Sequence, residues 1–175
     1  LRPLMVRLAR AGLTPNTVTL IAIAGSIAAG ALVGMGARRP ALLLLLPGWL
    51  FARMALNALD GMMARELGMA TTLGAVLNEL GDALSDLGLY LPLALVSERA
   101  QWPVIAFALG ALLTEFCGVL GRALGASRRY DGPMGKSDRA FLVGALGLVT
   151  FLFPRTLDAW PWVFALGAVL AAITC

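Results

Sequence analysis

The sequence contains no histidine and only two cysteines, Cys117 and Cys175, both inside apolar stretches. A His/Cys metal cluster and a disulfide framework are therefore both excluded as expectations, and any metal must be held by oxygen. Charge is scarce as well. Charged residues make up 14% of the 175 positions against 59% hydrophobic, and the mean hydropathy is +0.84. A soluble domain of this length could not bury so much apolar surface. No charged start followed by an uninterrupted apolar stretch is present, because Arg2, Arg7 and Arg10 are spread through the opening segment, so no cleavable signal peptide is expected. The chain has no internal repeat, low-complexity tract or hinge, and nothing in it points to a nucleic-acid partner.

The apolar residues that dominate come in runs of helix-spanning length, with charges gathered in the short segments between them. The expected fold is all-α, a single domain over 1–175 comprising an interfacial helix at 1–13 and a six-helix membrane bundle at 14–175. Residues 1–12 set Leu4, Val6, Leu8 and Ala11 among three arginines, a basic amphipathic segment suited to the headgroup layer. Thr14-Pro15-Asn16-Thr17 is a turn and N-cap signal that opens the first span. The spans are predicted at about 17–36, 41–64, 73–96, 102–123, 138–154 and 160–175, at roughly 20 residues each. Trp102, Trp160 and Trp162 fall near span ends, as an aromatic belt requires. Gly25, Gly30, Gly118, Gly121 and Gly125 are expected at helix contacts, which include a candidate homodimer seam.

Basic residues distribute unevenly about these spans. Arg2, Arg7, Arg10, Arg65, Arg122, Arg128, Arg129, Lys136 and Arg139 fall on one side, and Arg38, Arg39, Arg99 and Arg155 on the other. The positive-inside bias puts both termini in the cytoplasm.

Ionisable groups inside spans cost about 2.5–3.5 kcal/mol each at the membrane centre, so each needs a reason. Asn57, Asp60 and Ala64 share one face of the second span, and Gly74, Asn78, Asp82 and Asp86 recur every fourth residue on the third. Two antiparallel helices joined by a short turn can point these stripes at each other near the cytoplasmic surface. Two carboxylates and two amides there make an oxygen-rich pocket suited to Mg²⁺ or Mn²⁺ with a bound phosphate. Gly61, Ala64, Gly74 and Gly81 would let a bulky nucleotide or pyrophosphate come close to the helix backbones, although tight helix packing is the favoured reading for each glycine taken singly. Arg53, Asp86 and Glu115 lie at matching depth below that pocket, where a buried ion-paired network is expected to orient the polar stripes.

The segment Asn57-Ala-Leu-Asp60-Gly61-Met-Met-Ala64-Arg65, eight residues, Gly74, three residues, Asn78, three residues, Asp82 resembles the signature D-x2-D-G-x2-A-R-x8-G-x3-D-x3-D of the CDP-alcohol phosphatidyltransferases. Its spacing agrees throughout. Asn57 and Asn78 stand where that family has aspartates. The resemblance implies a transferase that moves a phosphatidyl group from CDP-diacylglycerol to a small polar alcohol and releases CMP, in the cytoplasmic membrane of a bacterium. By position it implies Asp60 as the main metal ligand, Asn57 and Asn78 as neutral ligands, and Asp82 as a metal ligand and the general base. One or two Mg²⁺ or Mn²⁺ ions are expected, since an amide oxygen still coordinates but two formal charges are lost. Gly61, Ala64, Arg65 and Gly74 would meet the donor's nucleotide and pyrophosphate, with a snorkelling anchor as the less favoured reading of Arg65. The segment from Arg128 to Arg139 looks like the family's acceptor loop, so Arg128, Lys136 and Arg139 either bind an anionic acceptor or meet lipid headgroups. A catalytically silent CDP-lipid binder is the alternative suggested by the two asparagines. A small transporter is disfavoured because the charges gather at one face instead of lining a path.

Overall fold

The computed structural model describes residues 1–36, 39–125 and 132–175. Seven α-helices follow one another: α1 (Arg2–Arg10), α2 (Pro15–Met35), α3 (Leu45–Glu66), α4 (Thr72–Tyr90), α5 (Gln101–Ala123), α6 (Lys136–Leu152) and α7 (Trp160–Thr174). No strand occurs among the described residues.

The helix starts follow from local chemistry. Thr14 is extended, its hydroxyl accepts from the Thr17 amide at 3.2 Å, and Pro15 takes the first turn, where its missing N–H costs nothing. Thr71 caps α4 in the same way, accepting from the Gly74 amide at 2.9 Å. Ahead of α6 the Gly135 amide donates to Asp138 Oδ2 at 3.0 Å. The third span is expected to run to 96, but α4 ends at Tyr90. Pro92 has no N–H to continue the ladder, and the chain tightens into a 3₁₀ turn at Leu91–Leu95. The same tightening occupies Pro40–Leu44 ahead of α3 and Pro154–Ala159 ahead of α7.

Among the described residues, four stretches are long and apolar enough to cross a membrane: Pro15–Met35, Pro40–Glu66, Glu98–Ala123 and Pro154–Thr174. The distribution of side chains is that of a multi-pass membrane protein. Phe51 and Phe141 are 77% and 78% exposed, and Leu109, Leu113, Leu166 and Ile173 also point outward, while Arg53, Asp86, Glu115 and Arg139 are buried. Such an arrangement is stable where the surroundings are hydrocarbon and the interior supplies every polar partner.

Helix α2 packs between α3 and α4, α4 continues onto α5, α5 onto α7, and α3 onto α6. At the α2–α4 crossing a methyl group on Gly30 would overlap the Gly88 carbonyl oxygen, so the two backbones meet there. Gly25 likewise admits the Trp49 ring, whose Nε1 donates to Ser26 Oγ at 2.9 Å. The remaining glycine expectations fare differently. Gly121 has open space beside it, and Gly125 closes α5 with a φ of +85°, a conformation rather than a contact.

The main core runs through Leu46, Leu50, Leu89, Leu93, Phe107, Val143 and Phe164. Trp160, expected in an interfacial belt, belongs to this core instead. It is fully buried against Phe164 with ring centroids 5.4 Å apart, and its Nε1 donates to Thr150 Oγ1 at 2.9 Å. Trp102 and Trp162 are exposed. A smaller cluster of Met5, Val18, Leu59 and Met63 seats α1 against the end of α3, where Arg2 Nε also lies 3.1 Å from Glu66. The expectation that the cysteines stay unpaired is corrected: Cys117 and Cys175 form a disulfide, with Cα atoms 5.7 Å apart. Sequence separation concealed the pairing, which the parallel packing of α5 on α7, Phe107 beside Gly167 and Gly110 beside Ala171, creates.

Candidate functional site

Because α3 and α4 both lean on α2, a cleft opens between their polar faces. Asn57, Asp60, Gly61, Ala64 and Arg65 line it from α3, and Gly74, Asn78 and Glu79 from α4. Its volume is about 340 Å³, and Asn16 and Thr19 of α2 close its base. The two stripes expected to face each other therefore do so.

The two signature carboxylates, Asp60 within this cleft and Asp82 beside it, differ in what satisfies them. Asp60 is 3% exposed. Its Oδ2 accepts from the Thr19 hydroxyl at 2.9 Å, and its Oδ1 is buried with no hydrogen-bond partner among the described residues. Asp82 is the opposite case. Three groups converge on its Oδ1: the Lys136 ammonium in direct contact, Asn57 Nδ2 donating at 3.2 Å, and Arg53 Nη2 at 3.7 Å.

Below lies a layer of buried charge. Arg53 Nη1 donates to Asp86 Oδ1 at 2.6 Å, and its Nη2 to the Asp82 carbonyl oxygen at 3.3 Å. Arg139 completes the layer. Its Nε and Nη2 donate to Asp86 Oδ2 at 3.2 and 3.0 Å, and Nη2 also donates to Glu115 Oε1 at 2.6 Å. Its Nη1 donates to Thr114 Oγ1 at 2.6 Å and to the Met134 carbonyl at 3.2 Å. A guanidinium has five N–H groups, and these contacts use all of them. Arg139 thus has no donor left for an acceptor molecule, and its expected place beside Lys136 is corrected. Three residues along α6 carry it about 4.5 Å deeper, from the cleft rim into the ion layer. Arg53, Asp86 and Glu115 meet in that layer through Arg139.

Lys136 is the acceptor-loop cation that the structure sets at the cleft, with its side chain 33% exposed. Together with Ser137, Asn57, Arg53 and Met54 it lines a second opening of about 230 Å³ between α3 and α6. Arg128 lies outside the described residues. Arg65 is exposed at the rim, its guanidinium 3.2 Å from where a Cβ on Gly61 would sit. Gly74 is approached by Asn16 Oδ1, 2.8 Å from its own Cβ position.

Sequence reasoning missed Asn16 and Thr19. Their signal was the Thr14-Pro15 cap, which fixes the register of α2 and places Thr19 one turn inside, with its hydroxyl also 3.1 Å from the Pro15 carbonyl.

A divalent cation suits this cleft. The unpartnered Asp60 Oδ1 is a buried acceptor that lacks a positive partner, a costly state for a carboxylate that a hard cation would relieve. The Asn57 and Asn78 amides add neutral oxygens beside it. Among the described residues no three His, Cys, Asp or Glu side chains gather as a metal cluster, so amides must complete the donor set.

The comparisons with known proteins agree with this geometry. The model of the CDP-alcohol phosphatidyltransferase family matches residues 12–174. The inner membrane protein YnbA of Escherichia coli is 49% identical over 155 residues, covering 89% of this chain and 77% of that protein. The phosphatidylinositol phosphate synthase of Mycobacterium marinum is 34% identical over 181 residues, covering 99% and 75%. Among solved structures, Mycobacterium tuberculosis phosphatidylinositol phosphate synthase PgsA1 with CDP-DAG bound superposes with a TM-score of 0.82 at 27% identity, covering 99% of this chain and 88% of that one. The same enzyme in complex with manganese and citrate also gives 0.82 at 27% identity, covering 99% and 84%. With nearly its whole length matched and the signature residues facing one cleft, this chain belongs to the CDP-alcohol phosphatidyltransferase family.

Proposed function

We propose that this membrane enzyme transfers a phosphatidyl group from CDP-diacylglycerol to a small polar alcohol, with release of CMP, at the cytoplasmic face of a bacterial membrane. The observation that carries this reading is the buried, unpartnered Asp60 Oδ1 inside a polar cleft that is bordered by Arg65, with Asp82 joined to it through Asn57. Asp60, Asn57 and Asn78 would hold a divalent cation, Mg²⁺ or Mn²⁺. When bound, such an ion supplies Lewis-acid stabilisation of charge on the pyrophosphate oxygens. Arg65, at the rim, meets the donor phosphates, and Gly61, Ala64 and Gly74 keep the adjoining helix surfaces low. The acceptor lies toward the α3–α6 opening with Lys136. Its hydroxyl oxygen attacks the lipid-side phosphorus, the bond to the bridging pyrophosphate oxygen breaks, and CMP leaves with that electron pair. Asp82 takes the hydroxyl proton through its Oδ2, since the protein's own donors converge on Oδ1. The ion layer of Arg53, Asp86, Arg139 and Glu115 holds α3, α4, α5 and α6 in register beneath the cleft.

In this reading all six helices from α2 to α7 cross the bilayer, and α1 lies in the headgroup layer with Arg2, Arg7 and Arg10. The excess of arginine on the cleft side supports a cytoplasmic site. A homodimer is part of the proposal, with Gly118 and Gly121 of α5 among the glycines that would form its seam.

The test is CMP release from CDP-diacylglycerol by purified protein in detergent with Mn²⁺ and a pool of polar alcohols. Release that requires metal, acceptor and Asp82, and is lost in Asp82→Asn, is the expected result. Metal-dependent binding of the CDP-lipid with no release would instead identify a silent binder.

A further inference from the structure

The unequal treatment of the two cleft carboxylates has a consequence for how many ions the site takes. Resting on the phosphatidyl-transfer reading, we infer that this enzyme works with a single divalent ion, held on Asp60, and that the Lys136 ammonium on Asp82 stands in the place of a second cation. Three observations lead there. First, the signature supplies two carboxylates, Asp60 and Asp82, because its other two positions are the amides Asn57 and Asn78, and the further carboxylate on the cleft wall, Glu79, is offset by Arg122 at 4.0 Å. Two divalent ions would bring four positive charges to two negative ones, beside Arg53 and Lys136, in a part of the protein where uncompensated charge is expensive. One ion with Lys136 comes closer to balance. Second, positive partners are already assigned at Asp82: Lys136 and Arg53 both approach Oδ1, and Asn57 turns its NH₂, not its carbonyl, toward the same atom. An amide oriented in this way presents a donor to Asp82 instead of an oxygen to a second ion. Third, the fully buried carboxylate oxygen without a partner among the described residues is Asp60 Oδ1, whereas Asp82 already has two cations against it.

Lys136 suits the role chemically. It is the only lysine in the chain, a compact point charge with three donors, which can hold Asp82 Oδ1 and still turn toward a phosphate oxygen. Its position at the first residue of α6, with the Gly135 amide tied to Asp138, fixes the base of the side chain at the cleft rim.

The test counts ions without relying on turnover. Mn²⁺ titration of the purified full chain, followed by electron paramagnetic resonance, is expected to give one ion per chain with no spin coupling between ions, both alone and with CDP-diacylglycerol. Asp60→Asn should weaken Mn²⁺ binding by more than about a hundredfold, beyond an outer-shell effect, whereas Asp82→Asn should weaken it by less than about tenfold. Asn57→Asp/Asn78→Asp with Lys136→Met, which supplies carboxylates and removes the competing ammonium, should bind two coupled ions. Gel filtration of each variant separates loss of binding from loss of fold. Two coupled ions in the unaltered protein, or equal losses in Asp60→Asn and Asp82→Asn, would overturn the inference while leaving phosphatidyl transfer intact. No Mn²⁺ binding at all would overturn both.

Discussion

Replacing Asp60 by asparagine is expected to lower CMP release by about a thousandfold or more, since the charged oxygen that anchors the cation and, through it, the donor pyrophosphate is gone. The same change should not harm the fold. The amide oxygen of the Asp60→Asn side chain would still accept from the Thr19 hydroxyl, which lies 2.9 Å from Asp60 Oδ2, and a buried carboxylate oxygen without a partner would disappear. Thermal denaturation in detergent without metal should therefore show Asp60→Asn at least as stable as the parent, as is common where a site stores unfavourable charge for function. Adding Mn²⁺ should separate the two proteins: at a hundred times its dissociation constant a bound ion adds about 2.7 kcal/mol, which the parent gains and the variant does not. A metal-free stability loss in Asp60→Asn would mean that this carboxylate is structural.

The second large effect is expected at Arg139, with the opposite signature. Arg139→Met removes the guanidinium that lies 2.6 Å from Glu115 and halves the cationic support of Asp86, deep between helices. Breaking a buried ion network by removing one member costs about 3–5 kcal/mol. The variant should lose thermal stability by that order, whereas Lys136→Met, at a half-exposed site, should cost less than about 1 kcal/mol. The double change Arg139→Met/Glu115→Gln should recover part of the loss, because a carboxylate charge is removed together with the guanidinium that balanced it. Were Arg139 an acceptor ligand instead, Arg139→Met would raise the acceptor KM and leave the melting temperature unchanged.

These two residues also mark how far the sequence could be read. The Asp60 stripe was legible because helical periodicity fixes which side chains share a face, and the Asn57 to Asp82 spacing then specified both helices. The membrane class was legible because hydropathy is additive along the chain. Arg139 was misplaced for a reason of depth. Lys136 and Arg139 stand three residues apart in what reads as one basic loop, but α6 begins at Lys136, so one turn of helix separates a rim residue from a buried one. Trp160 shows the same effect at the other end of the bundle, where the Thr150 hydroxyl draws an expected interfacial ring into the core. Thr19 and the Cys117–Cys175 pair were hidden because they depend on which helices become neighbours, a property of tertiary packing that no local pattern encodes. Arg53, Asp86 and Glu115, by contrast, stood out as a set by depth alone, since costly groups at one level of a membrane protein must find one another.

The central claim is that a phosphatidyl group moves intact from nucleotide to alcohol. Its most direct test is mass spectrometry of the lipid formed when purified protein, Mn²⁺, CDP-diacylglycerol and ¹⁸O-labelled alcohols are incubated together. The account predicts a new phospholipid with both acyl chains, one phosphate and the ¹⁸O of the acceptor in the new ester bond, formed in step with CMP. Unchanged CDP-diacylglycerol, or an alcohol joined to the cytidine phosphate with phosphatidic acid released, would contradict it.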